Sequence, residues 1–180
     1  GRIEAENGTL ASGGYLQFLA TDSMTAYIIN DLGTVEGEVQ IEKLISEGKV
    51  FRYLSSSATD FSVEEFQQFI PVTGAFTGAS TGPELGNDPS IFSYDSNNEI
   101  WIPFPSSTNQ ETFETGRGYA IYFRNETDPT KIKWMGPLIQ SDFNYTITGN
   151  DDIGNQQAGW NLIANPYATP LLWGDTGWTS

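Results

Sequence analysis

The sequence predicts an all-β fold, a β-sandwich of jelly-roll type with one short helix. Three observations predict it. Short β-type runs separated by turn-forming residues fill most of the 180 residues. Several runs alternate apolar and polar residues with period two, which puts one face in a core and the other in water. Only one segment carries a full set of helix-start signals.

Taken in order, the candidate strands are 15–19, 25–29, 36–45, 50–55, 91–94, 99–102, 119–123, 131–135, 144–148 and 160–164. In the third, Val39 and Ile41 share one face while Glu38, Gln40 and Glu42 share the other. Lys131-Ile132-Lys133-Trp134 alternates in the same way. The helix is signalled by Ser62-Val63-Glu64-Glu65, a capping box with Ser62 as N-cap and Glu65 at N3. Phe61 and Phe66 stand where a hydrophobic staple places them, and Pro71 ends the run. About two turns result, enough to plug one end of a sandwich.

Turn chemistry predicts two hairpins, one through Asp95-Ser96-Asn97-Asn98 and one through residues 124–130. Residues 73–89, rich in Gly, Ser, Thr and Pro, read as an exposed loop suited to binding. Composition shifts near Gly48. Residues 1–47 read as a strand region, the end of a stacked β unit continuing upstream, and residues 48–180 as the sandwich module. The first residues lack an initiator Met, which reads as a fragment with any targeting signal removed.

Composition excludes several functions. The net charge is −15, and no Lys or Arg lies between Tyr53 and Gly116. A nucleic-acid binder needs a basic face to neutralise phosphates, so nucleic acid is not an expected partner. An anionic membrane surface repels such a chain, and its apolar runs are too short for insertion. With neither Cys nor His, a structural zinc site and disulfide stapling are both out of reach.

Two segments echo each other. Phe51-Arg52-Tyr53-Leu54 and Trp160-Asn161-Leu162-Ile163 both run aromatic, polar, apolar, aliphatic. The expected shared role is a buried strand that opens on a large ring, which makes Trp160 a core residue.

The second segment also carries a resemblance. Gly159-Trp160-Asn161-Leu162-Ile163-Ala164-Asn165-Pro166-Tyr167 resembles the "GWNLIGNPYP" stretch of large secreted proteins of Bacteroidota. Phe51 to Ser56 resembles their "RYLSSP" stretch, Gly116 to Tyr122 their "GRGYLVY" stretch, and Ile91 to Asp95 their "IYSYDE" strand. Order and approximate spacing agree between Val50 and Trp173. The chain departs from the pattern at Ser57 and Ala168, where Pro is frequent. The resemblance implies an adhesin-like module of type IX secretion cargo, placed outside the cell or on its surface. It implies no catalytic residue.

Three kinds of chemistry remain. Paired carboxylates are the one plausible catalytic route. Glu64 and Glu65 suit a helix start, and Glu111 and Glu114 flank Phe113 in a loop; neither spacing shows opposed acids. No His is present to activate a Ser nucleophile, and Gly116-Arg117-Gly118 lacks the Lys and helix of a phosphate loop. Calcium wants several oxygen ligands, which Asp95, Asn97 and Glu99 offer at alternate positions, as does the segment Asn150 to Asn155. A hairpin turn explains the first set equally well. Sugars stack on exposed flat rings, and Trp101, Trp134, Trp173 and Trp178 are the candidates, Trp101 and Trp134 foremost.

The expectation is therefore a non-enzymatic structural or adhesive module of a secreted cell-surface multidomain protein. Its partners are neighbouring domains, other surface components or glycans. It requires no cofactor, with calcium as an option. The alternative is a carbohydrate-binding module of a polysaccharide-degrading enzyme.

Overall fold

A computed structural model describes residues 2–4, 8–13, 16–22, 25–29, 33–149 and 159–172. The chain is all-β, as expected, with several packed sheets and one short helix. No helix among the described residues is long and apolar enough to cross a membrane.

The first six strands form two stacked coils. The upper coil holds β1 (Arg2–Glu4), β2 (Thr9–Ala11) and β3 (Leu16–Phe18). The lower holds β4 (Tyr27–Ile29), β5 (Thr34–Glu36) and β6 (Val39–Ile45). Each upper strand lies parallel to its lower counterpart. Arg2 sits opposite Tyr27, Thr9 opposite Thr34 and Leu16 opposite Val39. Residues facing one another across a parallel ladder point the same way, so Phe18 and Ile41 both enter the core, where both are buried.

The predicted strand 36–45 is broken at Gly37, whose φ of 90° suits glycine. A Cβ there would lie 2.6 Å from the Ser12 hydroxyl oxygen. This corner separates β5 from β6, one side of the coil from the next.

The sandwich has two main sheets. Four antiparallel strands, β7 (Val50–Leu54), β8 (Ile91–Asp95), β9 (Ile100–Pro103) and β10 (Tyr119–Phe123), run in the order β7-β10-β8-β9. The other sheet has the order β11-β6-β3, with β11 (Thr130–Gly136) antiparallel to β6. Residues on either side of position 47 thus share one sheet. The predicted hairpin at 124–130 is instead a crossover, because β10 and β11 belong to different sheets. The hairpin at 95–98 does join β8 to β9. Residues 144–148 form no strand, and in 160–164 only Ile163 makes a bridge.

The core gathers around Trp134 of β11. Helix α1 (Val63–Phe66) carries the expected capping box, with Ser62 accepting from the Glu65 N–H and Glu65 accepting from the Ser62 N–H. Phe66 stacks on Trp134 with centroids 5.3 Å apart and planes within 5°. Phe61 meets the same ring edge-on at 5.1 Å, and Phe113 at 5.8 Å. The helix therefore fills the space between the sheets with rings.

Glu42 ties the coil to β11. Its buried carboxylate meets Lys131 Nζ at 3.0 Å and Lys133 Nζ at 3.6 Å, and accepts from the Ala20 N–H at 3.3 Å. Desolvation pushes its pKa up. The Lys131 hydrogen bond, the Ala20 N–H and the two lysine charges outweigh that and hold it below the usual range.

Candidate functional site

The four-stranded sheet has two aromatic faces. On β10, Tyr119, Ile121 and Phe123 point inward and are buried. Ala120 and Tyr122, between them, point the other way. The register places Ala120 beside Tyr53 and Phe92, Tyr122 beside Phe51, and Tyr94 beside Trp101. The outer face therefore carries six rings: Phe51, Tyr53, Phe92, Tyr94, Trp101 and Tyr122.

These rings pave the sheet. Tyr53 and Trp101 have parallel planes, within 3°, and centroids 6.0 Å apart. Their strands are the two edges of the sheet, about 14 Å apart with two strands between. Rings from opposite edges meet at that distance only by folding inward over the face. Ala120 records this: it lies on the outer face but is only 6% exposed. Above it Tyr53 is 66% exposed and Trp101 43%. Tyr94 braces Trp101 edge-on at 5.3 Å, and Phe51 joins Tyr122 at 5.1 Å and Phe92 at 5.9 Å.

A fixed cation borders the paving. Arg124 sits 5.2 Å from the Tyr122 ring centroid and donates to the Pro71 carbonyl at 3.2 Å and the Thr73 hydroxyl at 2.9 Å. Beside Tyr53 opens a cleft of about 440 Å³, lined also by Lys43, Leu162, Asn165 and Tyr167.

The sequence candidates separate sharply. Trp101 belongs to the paving. Trp134 is corrected as an exposed platform: it is 1% exposed and packed against Phe61, Phe66 and Phe113, and it contributes only to the wall of the cleft beside Tyr53. Trp160 is corrected the other way, being 67% exposed rather than core. Trp173, Trp178 and the segment Asn150 to Asn155 lie outside the described residues.

The oxygen-rich hairpin serves its own turn. Asp95 accepts from the Asn98 side-chain amide at 2.7 Å and from the N–H groups of Asn97 and Asn98 at 2.9 and 3.2 Å. The Asn98 bonds, followed by that from Asn97, hold its carboxyl below the usual range. Asn97 is exposed, and Glu99 takes the left-handed conformation at φ 58°. Among the described residues no three acidic side chains gather into a group that could hold a metal ion.

The other carboxylates are also engaged locally. Glu65 caps α1, and Glu64 accepts from Gln110 at 2.8 Å. Glu114 pairs with Arg117 at 2.9 Å. Glu111 accepts from the N–H groups of Ser106, Ser107 and Thr108 at 3.1, 2.6 and 3.2 Å. Desolvation raises its pKa, but these bonds outweigh it and hold the carboxyl at about 2. Glu111 anchors a loop.

Gly116 and Gly118 explain the Gly-Arg-Gly motif. Leu162 accepts from the Gly118 N–H at 2.9 Å, and Gly116 accepts from the Ala164 N–H at 2.8 Å. A Cβ on Gly118 would fall 2.6 Å from Leu162 Cγ. The two echoed segments therefore both attach to the run 116–123: Leu54 pairs with Tyr119, and Ile163 bridges Arg117. Their leading rings, Phe51 and Trp160, are exposed, opposite to expectation.

Sequence reasoning missed Phe51, Tyr53, Phe92, Tyr94 and Tyr122. The signal was present in Phe51-x-Tyr53 and Phe92-x-Tyr94, where rings recur at alternate positions and so share a face. Comparison with protein-family models, curated proteins and solved structures found no match.

Proposed function

We propose that the chain is a non-catalytic adhesive module of a secreted, cell-surface multidomain protein, and that it holds neutral glycans on its outer aromatic face. One observation carries the reading: Tyr53 and Trp101 lie parallel and exposed over the sheet. Exposed flat rings match the C–H faces of sugar rings, and such a patch on a water-facing sheet marks an interaction site. The net charge of −15 disfavours anionic polymers, so a neutral glycan is the expected class. The local engagement of Glu64, Glu65, Glu111 and Glu114 supports binding over hydrolysis. The resemblance of residues 50–173 to secreted adhesin-like proteins supports the extracellular setting. The reading calls on no cofactor.

Affinity electrophoresis through neutral polysaccharides, together with a glycan array, tests it. Wild-type protein is expected to be retarded by at least one neutral polymer. Trp101→Ala and Tyr53→Ala should each weaken that by about tenfold, the effect of losing one central aromatic contact. Binding to no glycan, or binding that survives loss of both rings, overturns the proposal.

A further inference from the structure

The two ends of the stacked coil are unlike, and the difference points to a docking surface independent of the aromatic face. The lower end is closed on all three sides. On β6, the outer edge pairs with β11. On β5, the Gln140 side-chain amide imitates a strand, accepting from the Val35 N–H at 2.6 Å and donating to the Val35 carbonyl at 2.7 Å. On β4, the Ala168 carbonyl accepts from the Ile28 N–H at 3.2 Å.

The upper end has no such cover among the described residues. There β1, β2 and β3 are each the last strand of their sheet. The Gly8 carbonyl and the Ser12 N–H bond downward to β5, so by alternation Thr9 and Ala11 aim their N–H and C=O groups off the edge. Side chains show the same asymmetry. Val35 of the lower coil is 4% exposed, while Leu10, stacked directly over it, is 37% exposed. A stack with one capped end and one open end, apolar in its middle, is built to continue at the open end.

We infer that the upper edge is a docking surface for one further parallel β-coil, entering from the N-terminal side at the same spacing. Two features select that occupant over a second copy of the chain. The ladders are parallel at a near-constant spacing, 25 residues for Arg2 with Tyr27 and for Thr9 with Thr34, and 23 for Leu16 with Val39. The capped lower end leaves a second copy no free coil edge to offer there in parallel orientation. The added coil would place an apolar side chain over Leu10 and extend the Thr9–Thr34 hydroxyl contact of 3.3 Å.

Joining a duplicate of residues 1–25 ahead of Gly1 supplies such a coil in register. Hydrogen exchange read by mass spectrometry is expected to slow at least tenfold for the amides of residues 9–11 in the original coil, with the extended chain monomeric in sedimentation. The same extended chain with Leu10→Pro in the added copy should lose that protection, since proline removes a ladder donor. Protection of β11 amides in all three proteins controls for folding. Unchanged exchange at residues 9–11 despite intact β11 protection overturns the inference. So does dimerisation of the unextended chain through this edge, which would make a second copy the occupant. Neither result bears on the aromatic face.

Discussion

The four-stranded sheet carries rings on both faces, and among the described residues only one face is covered. Inward, Tyr119 and Phe123 meet a cluster closed by Phe61, Phe66, Phe113 and Trp134. Outward, Phe51, Tyr53 and Trp101 meet water. The residue types are the same, and so is the alternation that separates them. What differs is the second layer: β11 and α1 on one side, nothing on the other among the described residues. Ring content therefore says little about which face is core. The supply of a partner element decides it.

The sharpest way to break this comparison is to remove one ring from each side. Trp134→Ala deletes the ring against which Phe61, Phe66 and Phe113 all pack. A buried aromatic truncated to Ala leaves a cavity and costs about 4 kcal/mol. Denaturant melts should show this as a large fall in midpoint. A loss below about 1 kcal/mol would mean that the inner cluster is no more closed than the outer one.

A smaller effect probes what holds Phe113 in the covered face. The Phe113 N–H donates to the Phe61 carbonyl at 2.9 Å, and Glu111, two residues earlier, gathers the loop 106–108. The carboxylate is held at about 2, below its ordinary value of 4.5. A depressed folded-state pKa adds stability above the unfolded value, and that stability disappears as pH falls from about 4.5 through about 2. The side chain is part-exposed, so solvent screening leaves about 1 kcal/mol. Glu111→Gln should lower stability at pH 7 and flatten the acid limb between pH 4.5 and 2. An acid limb identical to wild type would remove Glu111 from this role.

Local signals were legible and long-range ones were not. The capping box at Ser62 and Glu65, the strand at 119–123 and the hairpin at Asp95 each depend on neighbours within a few residues, and each was readable. The strands β1 and β2 were not, since three-residue pieces acquire their identity only by stacking on residues 25 positions away. Trp134 and Trp160 were misplaced for a related reason. Both look like strand rings in sequence, yet one lies under α1 and the other lies outside the core. At the candidate site, Trp101 was identified but Tyr53 was not. Their meeting depends on a sheet order, β7-β10-β8-β9, that no local pattern encodes.

The smallest expected effect completes the comparison. Trp101→Ala removes a large ring, but one that is 43% exposed and touches Tyr53 and Tyr94 only across the outer face. Aromatic pairs of this kind contribute about 1 kcal/mol beyond area, and a site open to water leaves no sealed cavity when truncated. Stability should therefore fall by about 1 kcal/mol or less in the same denaturant melts that register Trp134→Ala as severe. A ring costly to ligand binding and nearly neutral to folding is the signature of a surface kept aromatic for contact. If Trp101→Ala instead destabilised the fold by about 3 kcal/mol or more, the outer rings would be packing residues, and the two faces would differ only in degree.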